Sequence, residues 1–307
     1  MGPNSDTSFP PFFLIHIRAQ QLDYRYFHRA PRRSEDSHRS LTSKTAYRDG
    51  SRKGMDLTFG APLPNWVKSK YFPSETSPTS TSSSPPVREL LRGGILLRSI
   101  RQTGPGSKVI SGPSLLVDQI LAASDASSIE ELVENKWEGN ISAILSDEGG
   151  PSTCLYLKEV ESGGDSPRPK VYFSPRIGLD LSHPGTTGPA TLPLHPRIRF
   201  LPKLYRFFVH PKLLVANGRA QTFLGVLQPY LDASTSAEAG LLKTSLSGDI
   251  ARLTGMKETT AAKYLADYKA GRIAGAQFLN SVIGPKGKGA GSSPATYLKM
   301  LGAISTL

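Results

Sequence analysis

The chain has little of what marks a secreted or membrane-bound protein. Its 307 residues include a single cysteine, Cys154, so an internal disulfide cannot form. No apolar run approaches the ~20 residues that cross a bilayer, and the N-terminus lacks the basic segment followed by an apolar segment that marks a signal peptide. We therefore expect no membrane partner and a nuclear or cytoplasmic location.

The usual signatures of metals and nucleotide cofactors are also missing. The six histidines are scattered, and none of them forms an HExxH pattern or another ligand spacing typical of a zinc site. The sequence contains no GxxxxGK[ST] loop, and no GxGxxG segment follows a predicted strand. We predict that the protein binds neither a metal nor a cofactor.

Positive charge is what the chain has in excess. It contains 37 Lys and Arg residues against 25 Asp and Glu residues, which gives a formal net charge of +12. One basic block with interleaved aromatic residues runs from Arg18 to Lys53, and a second, without any acid, runs from Arg197 to Arg219. This excess of positive charge favours association with a polyanion such as nucleic acid. The alternative interpretation is that the charge only keeps the protein soluble.

Composition and periodicity predict an α+β fold. Strands are expected at Met55–Phe59, Gly94–Ile100 (fully buried), Val171–Phe173, Ile177–Leu181 and Leu204–Val209. Helices are expected to begin near Ser111–Pro113 and at Ser128 and then at Thr222–Leu231, Gly240–Leu253, Thr259–Lys269, Gly275–Ile283 and Ala295–Leu301. We expect a mixed or antiparallel curved sheet flanked by helices, with a helical C-terminal extension.

The chain divides by composition into three parts. Residues 1–20 form a poorly defined N-terminus, residues 21–220 an α/β domain, and residues 221–307 a helical region. The domain contains a Ser/Thr/Pro-rich low-complexity loop at 73–86, which cannot bury enough apolar surface to offset its ordering entropy. A second loop, rich in Pro, Gly and Thr, covers 182–196.

A basic turn followed by a short strand is the first candidate for ligand contact. Arg48 and Lys53 lie on the turn, and the strand ends in Phe59-Gly60. Cations on such a turn can hold phosphates while an aromatic at the strand end stacks on bases or wedges between them. The alternative is a polar hairpin with Phe59 in the core.

Arginines in apolar segments are the second candidate. Arg98 follows Gly-Ile-Leu-Leu, and burial of its charge is costly unless it is paired or faces a cleft. The helix predicted to start at Ser111 and Gly112 offers free N–H groups that suit an anion. Arg176 and Arg206 stand in similar apolar contexts, so we include them among the substrate contacts.

These segments, taken in order, resemble the methylpurine-DNA glycosylases. The similarity lies in a Leu-Leu-Arg strand, a Ser-Gly-Pro helix start, a Pro-Arg-Ile-Gly segment and an aromatic-Arg-Phe strand, and it covers roughly residues 20–215. The matching segments are Gly94–Ile100, Ile110–Leu121, Pro175–Leu181 and Tyr205–Phe208. Tyr26–Arg29 and Lys53–Gly60 further resemble a divergent branch of microbial and plant proteins related to these enzymes.

The resemblance implies excision of an alkylated or modified base from DNA. We expect a double-stranded DNA partner and a monomeric protein. Such an enzyme flips the nucleotide out of the stack, and a carboxylate-activated water attacks C1′ of the sugar. In the family pattern Arg98 stands beside that water and Phe59 takes the place of the wedging tyrosine. Tyr26 and His28, in the first matching segment, are further candidates for substrate contact.

The carboxylate is the open question of this assignment. The family has its catalytic glutamate in a strand upstream of these motifs, and the corresponding residues 9–28 contain no glutamate and only one aspartate, Asp23. A second aspartate, Asp56, stands three residues before Phe59, at the position where the family has a tyrosine that stacks on the flipped base. Either aspartate supplies the carboxylate, or the chemistry is lost. The alternatives to a glycosylase are therefore a catalytically inactive nucleic-acid-binding protein of the same fold, or a hydrolase of free nucleosides.

Overall fold

A computed structural model describes the chain in ten stretches. They are residues 24–28, 47–59, 93–101, 108–141, 143, 155–156, 169–181, 196–233, 245–283 and 293–307, without the side chains at 24–26, 58–59, 93 and 196–197. The chain forms two compact units, Met1–Gly163 and Gly164–Leu307. Their division falls inside the segment 21–220, so the sequence-based domain limits remain a prediction.

The α+β class is confirmed. The described strands form three small antiparallel sheets, of three, two and two strands. The single curved sheet of the prediction is not found among these strands. Within the parts of the chain that can be described, no helix is both long enough and apolar enough to cross a bilayer.

Three strands of unit 1 make its main sheet. Strand β1 (Tyr24–Phe27) pairs with β2 (Met55–Phe59), and β2 pairs with β3 (Gly93–Leu96). Because side chains alternate along a strand, Met55 and Leu57 are buried while Asp56 between them is half-buried on the opposite face. The alternation predicted for β2 therefore separates one polar side chain from the core.

The prediction of one fully buried strand at Gly94–Ile100 is wrong. The chain leaves the first sheet after Leu96 and forms β4 (Ser99–Arg101), which pairs with β5 (Val109–Ser111) in a second sheet. Ile95 is 38% exposed, and Ser99 and Arg101 are exposed. The apolar run is only three residues long, and the polar residues after it stay in contact with water rather than continue a buried strand.

The helices of unit 1 begin where the sequence predicts. Helix α1 (Pro113–Ala123) follows Gly112, whose φ of 136° favours glycine. Ser128 caps α2 (Ile129–Glu131) by accepting a hydrogen bond from the Glu131 amide at 3.0 Å. The chain continues as a π-helical turn (Leu132–Lys136) to the buried Trp137, whose ring stacks on Phe27 at 5.7 Å.

Unit 2 contains one two-stranded sheet and five helices in its described parts. Strand β6 (Tyr172–Ser174) pairs with β7 (Arg206–Phe208). The helices are α3 (Pro196–Phe200), α4 (Arg219–Asp232), α5 (Leu246–Thr254), α6 (Glu258–Val282) and α7 (Pro294–Ile304). The strand predicted at Ile177–Leu181 is instead an irregular turn with Gly178 at φ 83°, because the left-handed backbone there cannot continue a strand.

The C-terminal helices pack through glycines. The two helices predicted at Thr259–Lys269 and Gly275–Ile283 form one element, α6, which is interrupted by a non-helical Gly275 (φ 51°, ψ −138°). A Cβ on Gly271 would lie 2.0 Å from the Lys299 carbonyl oxygen, and one on Gly302 would lie 2.1 Å from that of Tyr268. The backbones of α6 and α7 therefore touch, and only glycine fits at both positions.

Candidate nucleic-acid site

A histidine and an aspartate meet on the first sheet of unit 1. The Nε2 atom of His28 lies 3.0 Å from Oδ2 of Asp56. His28 follows β1, and its backbone N–H donates to the Gly54 carbonyl at 2.9 Å, just before β2. The two side chains are 31% and 28% exposed, so this pair is held in place by the strand pairing and remains open to water.

Gly54 allows the His28 ring to take this position. A Cβ placed on Gly54 would lie 2.6 Å from Cε1 and 2.8 Å from Nδ1 of the imidazole, which is closer than non-bonded carbon atoms approach each other. Any other residue at 54 would displace the ring. The glycine is thus a part of the His28–Asp56 geometry.

The predicted basic turn lies beside this pair. The Arg48 amide donates to the His28 carbonyl at 2.9 Å, and a 3-10 turn (Gly50–Arg52) follows. The ammonium group of Lys53 forms an ion pair with Asp118 of α1. Lys53 is therefore engaged with a carboxylate, whereas Arg52 is exposed.

Arg98 lies where β3 ends. The Leu97 amide donates to the Met55 carbonyl at 3.0 Å, which extends the strand pairing by one residue beyond Leu96. Arg98 is the next residue, between the end of β3 and the start of β4. It is half-buried and takes part in at least one further interaction.

The helix start near Arg98 differs from the prediction in one respect. The Gly112 amide donates to the Arg98 carbonyl at 2.8 Å, so this N–H group is not available to an anion, contrary to expectation. Ser111 is half-buried and pairs with Ser99 at the end of β5. The bond from Gly112 instead fixes the backbone of Arg98 against the start of α1.

Four of the predicted site residues can be placed only in part or not at all. Tyr26 is the Cα partner of Asp56, and Phe59 is the Cα partner of Gly93 at the far end of β2. The side chains of Tyr26 and Phe59 lie outside the described part of the chain, as do Asp23 and Gly60.

The remaining two predicted contacts belong to unit 2. Arg176 is exposed in the turn after β6. Arg206 donates to the Ser174 hydroxyl at 3.2 Å and to the Thr222 hydroxyl at 3.1 Å, and its guanidinium lies 4.4 Å from the Phe208 ring centre. These contacts tie β6, β7 and α4 together, so the described geometry gives Arg206 a structural role.

Sequence reasoning did not identify His28 as the partner of Asp56. The signal that could have indicated the pair is the antiparallel pairing of β1 with β2. In that register a polar residue just after β1 lies near a polar residue inside β2. Among the described residues, no three His, Cys, Asp or Glu side chains group as metal ligands.

In comparisons with known proteins no family model matches the chain, and no curated protein and no solved structure matches it either.

Proposed function

We propose that the protein hydrolyses the N-glycosidic bond of an alkylated or otherwise modified base in double-stranded DNA. The His28–Asp56 pair is the observation that carries this proposal, because it supplies a carboxylate where the resemblance to methylpurine-DNA glycosylases left none assigned. Both groups are accessible to water and are linked at 3.0 Å. A nuclear or cytoplasmic monomer remains our expectation.

In the proposed reaction Asp56 is the general base. One carboxylate oxygen, Oδ2, is engaged by His28, which leaves Oδ1 to accept a proton from water. The water oxygen bonds to C1′ as the C1′–N bond breaks, and the bonding electrons leave with the base. A base that is methylated on a ring nitrogen carries a positive charge and departs neutral, so it needs no proton from the protein.

The basic turn and Arg98 would hold the substrate. Arg48 and Arg52 stand on the segment that precedes β2, and guanidinium groups contact phosphates in a bidentate manner. Arg98 follows β3, and we assign to it the stabilisation of the charge that develops on the attacked sugar. The role that the resemblance implies for Arg98 stays a part of the proposal.

The test is release of free base from a defined duplex. The full chain, in excess over the DNA so that a single turnover is observed, is incubated with a 30-base-pair duplex that carries one guanine methylated at N7. The supernatant is then analysed for free 7-methylguanine. We expect release well above the spontaneous rate, with abasic sites formed in equal number. No release from this duplex, or from duplexes that carry other alkylated or deaminated bases, would contradict the proposal.

A catalytically inactive nucleic-acid-binding protein is the second candidate. Unit 2 carries 18 Lys and Arg residues against 7 Asp and Glu residues, so it holds nearly all of the net charge of +12. Tight duplex binding that weakens steeply with salt and is accompanied by no base release would select this candidate. If the protein instead cleaves a free nucleoside at a rate that does not depend on salt, it is a nucleoside hydrolase.

A further inference from the structure

We infer that the β6–β7 sheet of unit 2 is a binding surface for single-stranded DNA. Three aromatic side chains define this surface: Phe173 on β6, Phe207 on β7, and Tyr205 just before β7. They are 44%, 63% and 57% exposed, respectively. Large aromatic side chains normally contribute to the core, so three exposed ones on one small sheet indicate a surface that is used for binding.

The pleat of the sheet explains why these rings face outward. Tyr172 and Phe208 are cross-strand partners, stack at 5.6 Å and are buried. Phe208 packs against Gly225 of α4, where a Cβ would lie 2.7 Å from the ring. Since adjacent residues of a strand point to opposite faces, Phe173 and Phe207 lie on the other face, with their rings 5.3 Å apart and nearly perpendicular.

A cavity lies between β6 and α4, beside the same sheet. Its volume is about 460 Å³, and Val171, Phe173 and Leu204 line it on the side of the sheet. From α4 it receives Gln228 and Asp232, which are hydrogen-bonded to each other at 2.7 Å. A mostly apolar hollow with a few polar groups suits a planar heterocycle, and the Phe173 backbone carbonyl lies on its α4 side, close to Gly225.

Three cations stand next to the strands of this sheet. Lys170 precedes β6, Arg176 follows it, and Lys203 precedes β7; all three are exposed, and none forms an ion pair with a described acidic residue. The Lys170 ammonium lies 5.2 Å from the Tyr172 ring centre, and Lys170 also lines the cavity. Asp232 is the one acidic residue that lines the described cavity.

Exposed aromatic rings with cations next to the strands fit unpaired nucleotides better than the other occupants. Bases in a duplex already stack on one another, whereas an unpaired base can lie on a protein ring while its phosphate meets a cation. The cores of protein–protein interfaces are depleted of lysine and other charged residues, unlike this surface. The choice of DNA over RNA rests on the function proposed above. The preference for a single strand rests on the exposed rings and the cations alone.

Fluorescence anisotropy with labelled oligo-dT of 12 nucleotides tests the inference on the full chain. We expect binding that weakens with salt and that falls about 10- to 100-fold in the double variant Phe173→Ala/Phe207→Ala, because each stacked base contributes measurably to affinity. Phe173→Leu/Phe207→Leu keeps an apolar side chain without the ring, and we expect a loss of similar size. This second pair of substitutions decides the matter if the alanine variant does not fold.

Ile273→Ala is the matched control, because Ile273 is 88% exposed on α6 and lies outside the surface; its affinity should equal that of the unchanged protein. Oligo-dT binding that survives both double variants, or no binding at all, would overturn the inference. If the protein binds oligo-U but does not bind oligo-dT, the choice of DNA over RNA is wrong. Base release without oligo-dT binding would refute this inference alone, and oligo-dT binding without base release would refute the proposed function alone.

Discussion

Replacement of Gly54 by alanine is the sharpest perturbation of the His28–Asp56 pair, because it changes neither member. The φ angle of Gly54 lies outside the left-handed region, so an alanine is compatible with the backbone. Its Cβ would stand 2.6 Å from Cε1 of His28. To reach an ordinary contact of about 3.4 Å the ring must withdraw by roughly 0.8 Å.

That shift is large relative to the tolerance of a hydrogen bond. The Nε2–Oδ2 distance is 3.0 Å, and a ring movement of this size directed away from Asp56 carries it past the ~3.2 Å at which N–H···O bonds are ordinarily found. We expect the thermal unfolding midpoint to fall by a few degrees, in keeping with a loss of about 1 kcal/mol. Base release should slow by about 100-fold, since a misplacement near 1 Å costs that much in catalysis.

The assay is single-turnover base release together with thermal unfolding, and Gly248→Ala is the control. Gly248 lies in α5, where a Cβ meets nothing closer than a Glu258 carboxylate oxygen at 3.5 Å, so this alanine should raise stability by about 0.5–1 kcal/mol and leave base release unchanged. If Gly54→Ala releases base at the unaltered rate, the His28–Asp56 contact has no part in the chemistry.

Two further predictions concern unit 2. Arg206→Lys should lower the free energy of unfolding by about 1–2 kcal/mol in urea, because lysine cannot reach the Ser174 and Thr222 hydroxyls together; unchanged stability with weakened DNA binding would contradict the structural role. Burial raises the pKa of Tyr297 above its ordinary value of 10.0, against the lowering effects of a Gln221 hydrogen bond and of the Arg206 charge. The tyrosine of the unfolded chain therefore ionises above pH 10 while the buried hydroxyl stays protonated, so the free energy of unfolding falls as the pH rises beyond 10. Tyr297→Phe should flatten this decline, and a steep decline that persists unchanged would refute the prediction.

Local signals in the sequence predicted the elements around the site well. Pro113 after Ser111-Gly112 marks the start of α1, and Ser128 followed three residues later by Glu131 marks the cap of α2. These motifs act within one helical turn, so no knowledge of the rest of the fold is needed to interpret them. The alternation in β2 is local in the same sense.

The contacts that define the site depend on distant parts of the chain. His28 and Asp56 meet only because β1 pairs with β2 in one particular register, and the long connection between them does not fix that register. Arg206 finds its hydroxyl partners 32 and 16 residues away, so an arginine in an apolar strand could be taken for a phosphate contact. Phe207 and Phe208 are adjacent aromatics, and periodicity alone cannot tell which of them faces the core.

The most direct test of the proposed chemistry is the single-turnover rate of base release by Asp56→Asn. Glu134→Gln removes the same charge from an exposed position and serves as the matched control. If Asp56 activates the attacking water, Asp56→Asn should bind the duplex normally but release base at least 100-fold more slowly, while Glu134→Gln matches the unchanged protein. Equal rates for all three proteins would show that the carboxylate of Asp56 is not the base.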